Sequence, residues 1–423
     1  RTRWAWTEPA VWTDRMLTAL ERGVKGGVWF SLIDKVYHLA NLRAAFARVK
    51  ANGGAAGSDH QTIAMYEAGL EANLKDLSDQ LRTQRYRPQR IKRVYIPKPG
   101  SRERRPLGIP TVRDRIVQTA LRNVIEPIFE RDFAEHSYGF RPNRGCKDAL
   151  RRVDALLKEG YTHVVDADLK SYFDTIPHQP LMERIGHKIA DGRVRKLIET
   201  FLTQGVMDGL ETWTPTSGSP QGAVISPLLS NAYLDPLDHL MATRKIEMIR
   251  YADDFVILCR NADEARAALE LVQRWTTRAG LTLHPTKTRI MDANLEGFDF
   301  LGYHFERGQR WPRDKSIKKL KDSIRAKTPR LHGQSLSVII ARVNGTTIGW
   351  FEYFKHTSFT TVFHSLDGWI RRRLRRILLK RHGKTRHNGL GTAHHRWRNA
   401  FFAEYGLFSM EAAHIRLRQS ARR

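Results

Sequence analysis

A mixed α and β fold is predicted by three features of the sequence: short β-branched and aromatic runs, longer helical-period segments between them, and no internal repeat. The runs are YTHVVDADL from Tyr161 and EMIRYADDFVILC from Glu247, which read as buried strands. A third run, IKRVYIPKP from Ile91, alternates like a strand and stops at Pro97 and Pro99, because proline has no N–H to give to a ladder. Helices are expected within residues 1–50, which carry Trp4, Trp6, Trp12 and Trp29 and close with LRAAFARVK before the glycine-rich break Asn52–Gly57. MYEAGLEANLKDLSDQLRT from Met65 and DRIVQTALRNVIEPIFERDF from Asp114 show the same spacing. Beyond about residue 310 the strand signals fade and Lys and Arg become dense in helical segments, which places a domain boundary near Pro312.

The 423 residues, 41% of them hydrophobic, suffice for two or three domains with a substantial core. Lys and Arg number 72 against 44 Asp and Glu, a formal charge of +28. A surface this basic gains affinity by releasing counterions from phosphates, so nucleic acid is the expected partner. No stretch approaches the ~20 apolar residues of a spanning helix and no secretory pattern opens the sequence, so no membrane partner is expected. Cys146 and Cys259 lack the paired spacing of a zinc site and are too few for a disulfide framework, which fits a reducing cytoplasm.

The adjacent Asp253 and Asp254 stand among apolar residues, where two anions are expensive without a cation. Asp166 and Asp168 lie two apart on a strand and so share one face. Two strands that each end in a carboxylate can hold two hard divalent ions ~4 Å apart, an arrangement suited to nucleotidyl transfer.

YADD at 251–254 resembles the hallmark of reverse transcriptases, and the surrounding segments resemble the group II intron branch of that family. NGGAAGSD at 52–59 is similar to an N-terminal block of this branch, RPLGIPTVRDRIVQTALRNVIEPIFE at 105–130 to the fingers block, and HSYGFRPNRGCKDAL at 136–150 to a template-contacting block. DADLKSYFDTIPH at 166–178, SGSPQGAVISPLLSNAYL at 217–234, GLTLHPTKT at 280–288 and FLGY at 300–303 resemble successive palm blocks. Ser58, where valine is usual, and Ala223, where a second glycine is usual, depart from the pattern away from the chemistry. The implied fold is an α+β right-hand polymerase with fingers, a palm with an antiparallel sheet, and a helical thumb.

The resemblance implies two Mg²⁺ ions, with Mn²⁺ as a substitute, on Asp168, Asp253, Asp254 and the Leu169 carbonyl. Asp168 is preferred to Asp166 because the aromatic residue five positions on, which excludes a 2′-hydroxyl in such polymerases, is then Phe173. Lys98 and Arg105 are implied to bind the triphosphate, Gln221 to lie against the nascent base pair, Lys287 to protonate pyrophosphate, and Arg141 to contact the template.

IGWFEYF at 348–354 resembles the signature of the maturase domain, or thumb. In the helix expected from Trp369, Ile370, Leu374, Ile377 and Leu378 share one face, leaving Arg371, Arg372, Arg375 and Arg376 for nucleic acid. Arg396, Arg398, Arg416 and Arg418 interleave with Trp397, Phe401 and Tyr405, as in a small DNA-binding segment. The expected organisation is an N-terminal extension with fingers at 1–155, palm at 156–310, thumb at 311–386 and DNA-binding segment at 387–423, without a Cys-rich nuclease module. The implied function is RNA-directed DNA synthesis, with intron RNA binding for splicing and target-primed retrotransposition; intron RNA, an RNA template with DNA primer, target DNA and dNTPs are the partners, and the bacterial cytoplasm is the location. A domesticated enzyme of defence or repair and a splicing-only RNA-binding maturase are the alternatives.

Overall fold

The computed structural model describes residues 2–97, 104–331, 333–382 and 393–420. They form two compact units, residues 1–290 and 291–423. In the first, the helix Val112–Glu130 runs through the core with Ile116, Val117, Ala120, Leu121, Val124 and Ile125 fully buried, and it packs on the helix Leu39–Asn52. Thr111 caps it by accepting from the Asp114 N–H at 3.2 Å. Pro127 lies inside this helix and cannot donate to the Asn123 carbonyl one turn back. The indole N–H of Trp12 donates to that carbonyl instead, at 2.8 Å, so a residue of the N-terminal segment completes the ladder.

A four-stranded sheet in the first unit is formed by β1 (Ile91–Pro97), β2 (Arg104–Ile109), β4 (Val206–Asp208) and β5 (Glu211–Trp213), in the order β2-β1-β4-β5. The second sheet has the order β6-β7-β3-β8, with β3 at His163–Asp168, β6 at Glu247–Tyr251, β7 at Asp254–Cys259 and β8 at Arg289–Asp292. Both β3 and β6 pair antiparallel with β7. The run expected as one strand from Glu247 is therefore a hairpin. Ala252 turns it with φ of 61°, a left-handed conformation that the apolar pattern gives no reason to expect of alanine.

The second unit contains a three-stranded antiparallel sheet, β9 (Phe298–Phe300), β10 (Tyr303–Glu306) and β11 (Gln309–Pro312), in the order β11-β10-β9. Its division from the first unit precedes the composition change near Pro312 because this sheet is tied to helices of the same unit: Tyr303 donates to the Tyr353 carbonyl and Tyr353 to the Leu301 carbonyl, both at 2.7 Å. The helices Asp314–Lys327, Leu336–Phe354 and Thr361–Arg381 enclose a core of Ile324, Ile339, Val343, Phe363, Leu366 and Ile370. The helix expected from Trp369 starts earlier, at Thr361, and Ile370, Leu374, Ile377 and Leu378 pack inward as their spacing indicates.

The Trp12 bond yields a stability prediction. Trp12→Phe lowers unfolding free energy by about 1–3 kcal/mol beyond packing losses, because it orphans a buried carbonyl. In a Pro127→Ala background, where residue 127 regains an N–H, the same change costs at least about 1 kcal/mol less; equal losses in the two backgrounds, measured by urea denaturation, would disprove the repair.

Candidate active site

The hairpin of β6 and β7 and the end of β3 bring the acidic residues together at one end of these strands. Asp168, the last residue of β3, stands opposite Asp254, the first of β7, which in turn pairs with Tyr251. Asp168 is half-buried and Asp254 exposed, and Asp253 sits in the turn between β6 and β7. Burial raises the Asp253 pKa above the ordinary carboxylate value and the Asp168 charge raises it further, while the residue's own backbone and the Arg105 and Arg250 guanidinium groups oppose the rise. Lys287 places its ammonium 2.5 Å from Asp168 Oδ2. Asp166, on the same face of β3 as Asp168, lies 3.9 Å from Arg289.

The stretch after β3 is fastened to the block containing Lys287: Lys170 N donates to the Thr282 carbonyl at 2.8 Å, and His284 N to the Asp168 carbonyl at 2.7 Å. Leu169, between them, is buried and bridges to Leu283. Phe173 follows in the short helix Tyr172–Thr175, with Tyr172 and Phe140 edge-on to its ring. Ser219 N donates to the Phe173 carbonyl at 2.7 Å and Gly218 N to the Ile176 carbonyl at 2.8 Å, which stitches the Phe173 loop to the turn that carries Gln221. Gly218 has φ of 86°, and a Cβ there would lie 2.8 Å from the Phe173 carbonyl oxygen. On the other side of the turn, Gly108 N donates to the Gln221 carbonyl at 2.6 Å. Phe173, Asp174, Gly108, Arg93 and Gln221 line a cavity of about 310 Å³.

The structure corrects two sequence-based assignments. Arg141, expected to touch template, is buried; its guanidinium grips both oxygens of Glu130, at 2.8 Å for the shortest, and donates to the Ala134 and Ser137 carbonyls. It braces the chain between the central helix and β3. Arg375, expected on the exposed basic face, is also buried, donating to the Trp397 carbonyl and to Asn399 Oδ1, both at 2.9 Å. Arg372 and Arg376 are exposed as expected, Arg371 is half-buried, and Lys380 continues the exposed line at the same helical spacing. Trp397 packs into the core of the second unit. Lys98 lies outside the described residues. Arg105 is exposed on β2.

The sequence reading also missed what lies beneath the turn. Arg250 is fully buried and bonds to Asp238, Asn231 and the Ala252 carbonyl. An arginine inside an apolar strand run is costly unless paired, and that anomaly was the available signal. Gly139 lies against the turn so closely that a Cβ would be 2.2 Å from Ala252 N.

The donor set suits hard divalent cations, which take carboxylate oxygens. Among the described residues no group of three or more His, Cys, Asp and Glu side chains is placed to hold a metal ion.

Residues 96–305 match the family model described as Reverse transcriptase (RNA-dependent DNA polymerase). Residues 317–397 match the Group II intron, maturase-specific domain. The chain belongs to the reverse transcriptases, in the group II intron branch that carries a maturase domain. Protein YkfC of Escherichia coli strain K12 is 35% identical over 290 residues, covering 59% of this chain and 76% of that protein. The group II intron-encoded protein LtrA of Lactococcus lactis subsp. cremoris is 38% identical over 180 residues, 43% of this chain but 30% of LtrA. A 91 kDa protein in the cob intron of Schizosaccharomyces pombe is 31% identical over 270 residues, 50% of this chain and 33% of that protein. Among the described residues no helix is long and apolar enough to cross a membrane.

Gly139→Ala forces the turn aside, and displacements near 1 Å at a catalytic group cost about 100-fold in rate. Primer extension by the folded variant therefore falls by about that factor or more, and extension at the wild-type rate would show that the close packing does not set the turn.

Proposed function

We propose that this chain copies RNA into DNA from a primer 3′-hydroxyl, with two Mg²⁺ ions held by Asp168, Asp253, Asp254 and the Leu169 carbonyl, and that it acts on its own intron RNA in splicing and target-primed insertion. The observation that carries the polymerase site is the pairing of Asp168 with Asp254 across β3 and β7, beside the half-buried Asp253. Bound cations supply Lewis-acid activation of the hydroxyl and neutralise charge on the pyrophosphate.

The chain's own residues do the rest. Lys98 and Arg105 hold the triphosphate, Arg105 with a planar fork that suits phosphate oxygens. Phe173 closes the space where a ribose 2′-hydroxyl would sit. Gln221, fixed through its backbone to Gly108, lies against the new base pair. Lys287 protonates the departing pyrophosphate; its contact with Asp168 keeps the ammonium within reach of the reacting centre.

Asp253→Asn and Asp168→Asn each abolish extension of a DNA primer on an RNA template, to below about 1% of wild type, because a cation-binding charge is lost. Binding of template and primer survives. A folded variant that keeps more activity than this would refute the assignment.

In the second unit the exposed line Arg372, Arg376 and Lys380 supports a phosphate-binding face, since like charges at helical spacing repel unless a polyanion lies along them. Changing all three to glutamine weakens intron RNA binding and lowers the slope of log affinity against log salt by about 2–3 units. An unchanged slope in a folded protein would place the RNA elsewhere.

A further inference from the structure

The YADD turn rests on a buried polar scaffold to which three separate sequence blocks contribute. The scaffold's centre is Arg250, the residue before Tyr251. Its Nε donates to Asp238 Oδ1 at 2.8 Å, and one terminal nitrogen donates both to Asn231 Oδ1 at 2.9 Å and to the Ala252 carbonyl at 2.7 Å. The other terminal nitrogen bonds to Asp238 Oδ2. The pair is enclosed, with side-chain exposures of 1% for Arg250 and 4% for Asp238. Asn231 and Asp238 both come from the helix Ser226–Thr243. Asn231 then donates to the Gly139 carbonyl at 2.8 Å, and Gly139 is the residue packed against the Ala252 backbone. The Arg250 backbone closes the circuit, accepting from Tyr138 N at 2.8 Å and donating to the His136 carbonyl at 3.0 Å.

The Ala252 carbonyl is thus held at the middle of a turn whose left-handed φ of 61° an alanine adopts only under restraint. Asp253 and Asp254 follow directly, so their direction depends on how that peptide is held. A buried arginine gains nothing here over an apolar residue as filler, because its charge must be matched by Asp238. What it adds is a rigid fork that fixes acceptors on three residues at once.

We propose that Arg250 is the positioning residue of the catalytic turn, tying the Ala252 peptide to the helix Ser226–Thr243 and so setting where Asp253 and Asp254 present their oxygens to divalent cations. Asn231 transmits the same restraint to Gly139. The inference rests on the polymerase reading above only for the identity of the cations' task; the restraint itself concerns cation binding.

The test uses the full chain carrying Arg250→Lys, Asn231→Ala or, as a control, Asp253→Asn. Each variant is followed by thermal unfolding, by Mn²⁺ titration with electron paramagnetic resonance in the absence of nucleotides, and by primer extension across a Mg²⁺ series. Lysine keeps the charge but loses the fork, and Asn231→Ala leaves the Arg250–Asp238 pair intact in a helix that tolerates alanine. Supporting groups around a metal typically change its affinity or the activity by about 10–100-fold, and a loss in that range is expected for Mn²⁺ binding and kcat in both variants, with KM for template and primer unchanged. A lower melting temperature with wild-type Mn²⁺ binding and kcat per folded molecule would reduce Arg250 to a stability element and overturn the proposal. If Arg250→Lys does not fold, Asn231→Ala decides alone. Should the wild-type chain or the Asp253→Asn control contradict the polymerase reading, the Mn²⁺ titration of the two scaffold variants still decides whether the turn is positioned from beneath.

Discussion

Negative charge gathered at the end of an apolar sheet is the constraint to which the first unit is built. Asp253 is partly withdrawn from water beside Asp168, and both effects disfavour its charged form. Opposing positive charge comes from three places in sequence: Arg105 on β2, Arg250 on β6 and Lys287 after the GLTLHPT segment. Each lies on a separate element, so the site exists only when the two sheets and the loop before β8 have assembled. A fold that brings dispersed cations to a few carboxylates needs long-range contacts, and the acidic end of the sheet lies where β3 and β7, distant in sequence, pair.

The blocks that resemble the reverse transcriptases were legible because their signals are local. A pair of aspartates in an apolar run, an aromatic residue at a fixed spacing and a glycine-rich turn each occupy a few consecutive positions. Ile370, Leu374, Ile377 and Leu378 were legible for the same reason: helical spacing alone places them on one face, and they are buried. The hairpin at Ala252 was not legible, since its conformation is imposed by Gly139, far away in sequence, and by the Arg250 fork, whose partners Asp238 and Asn231 come from a separate helix.

Arginine was the hardest residue to read. In Arg141 and Arg375 the sequence offers a basic side chain amid other basic residues, and the simplest inference is a phosphate contact. Both instead spend their donors on carbonyls, and Arg141 on Glu130 as well, inside the protein. The high positive charge of the chain therefore overstates the charge available to nucleic acid at these positions, although the exposed line at Arg372 and Arg376 keeps its place. Periodicity reveals which side of a helix is apolar, but it does not reveal which of its charged neighbours the next segment will cover.

The helix Val112–Glu130 is covered along nearly its whole length, and much of that cover comes from the N-terminal region: the Trp12 indole on the Asn123 carbonyl, Asn41 on the Ala120 carbonyl, and the Gly53 and Ala55 carbonyls on Arg115. A helix without a solvent face has no position at which substitutions accumulate freely. Sequence drift in the first sixty or so residues is consequently tied to drift in this helix, and the two segments are expected to be inherited as one unit, exchanged together or not at all among related chains.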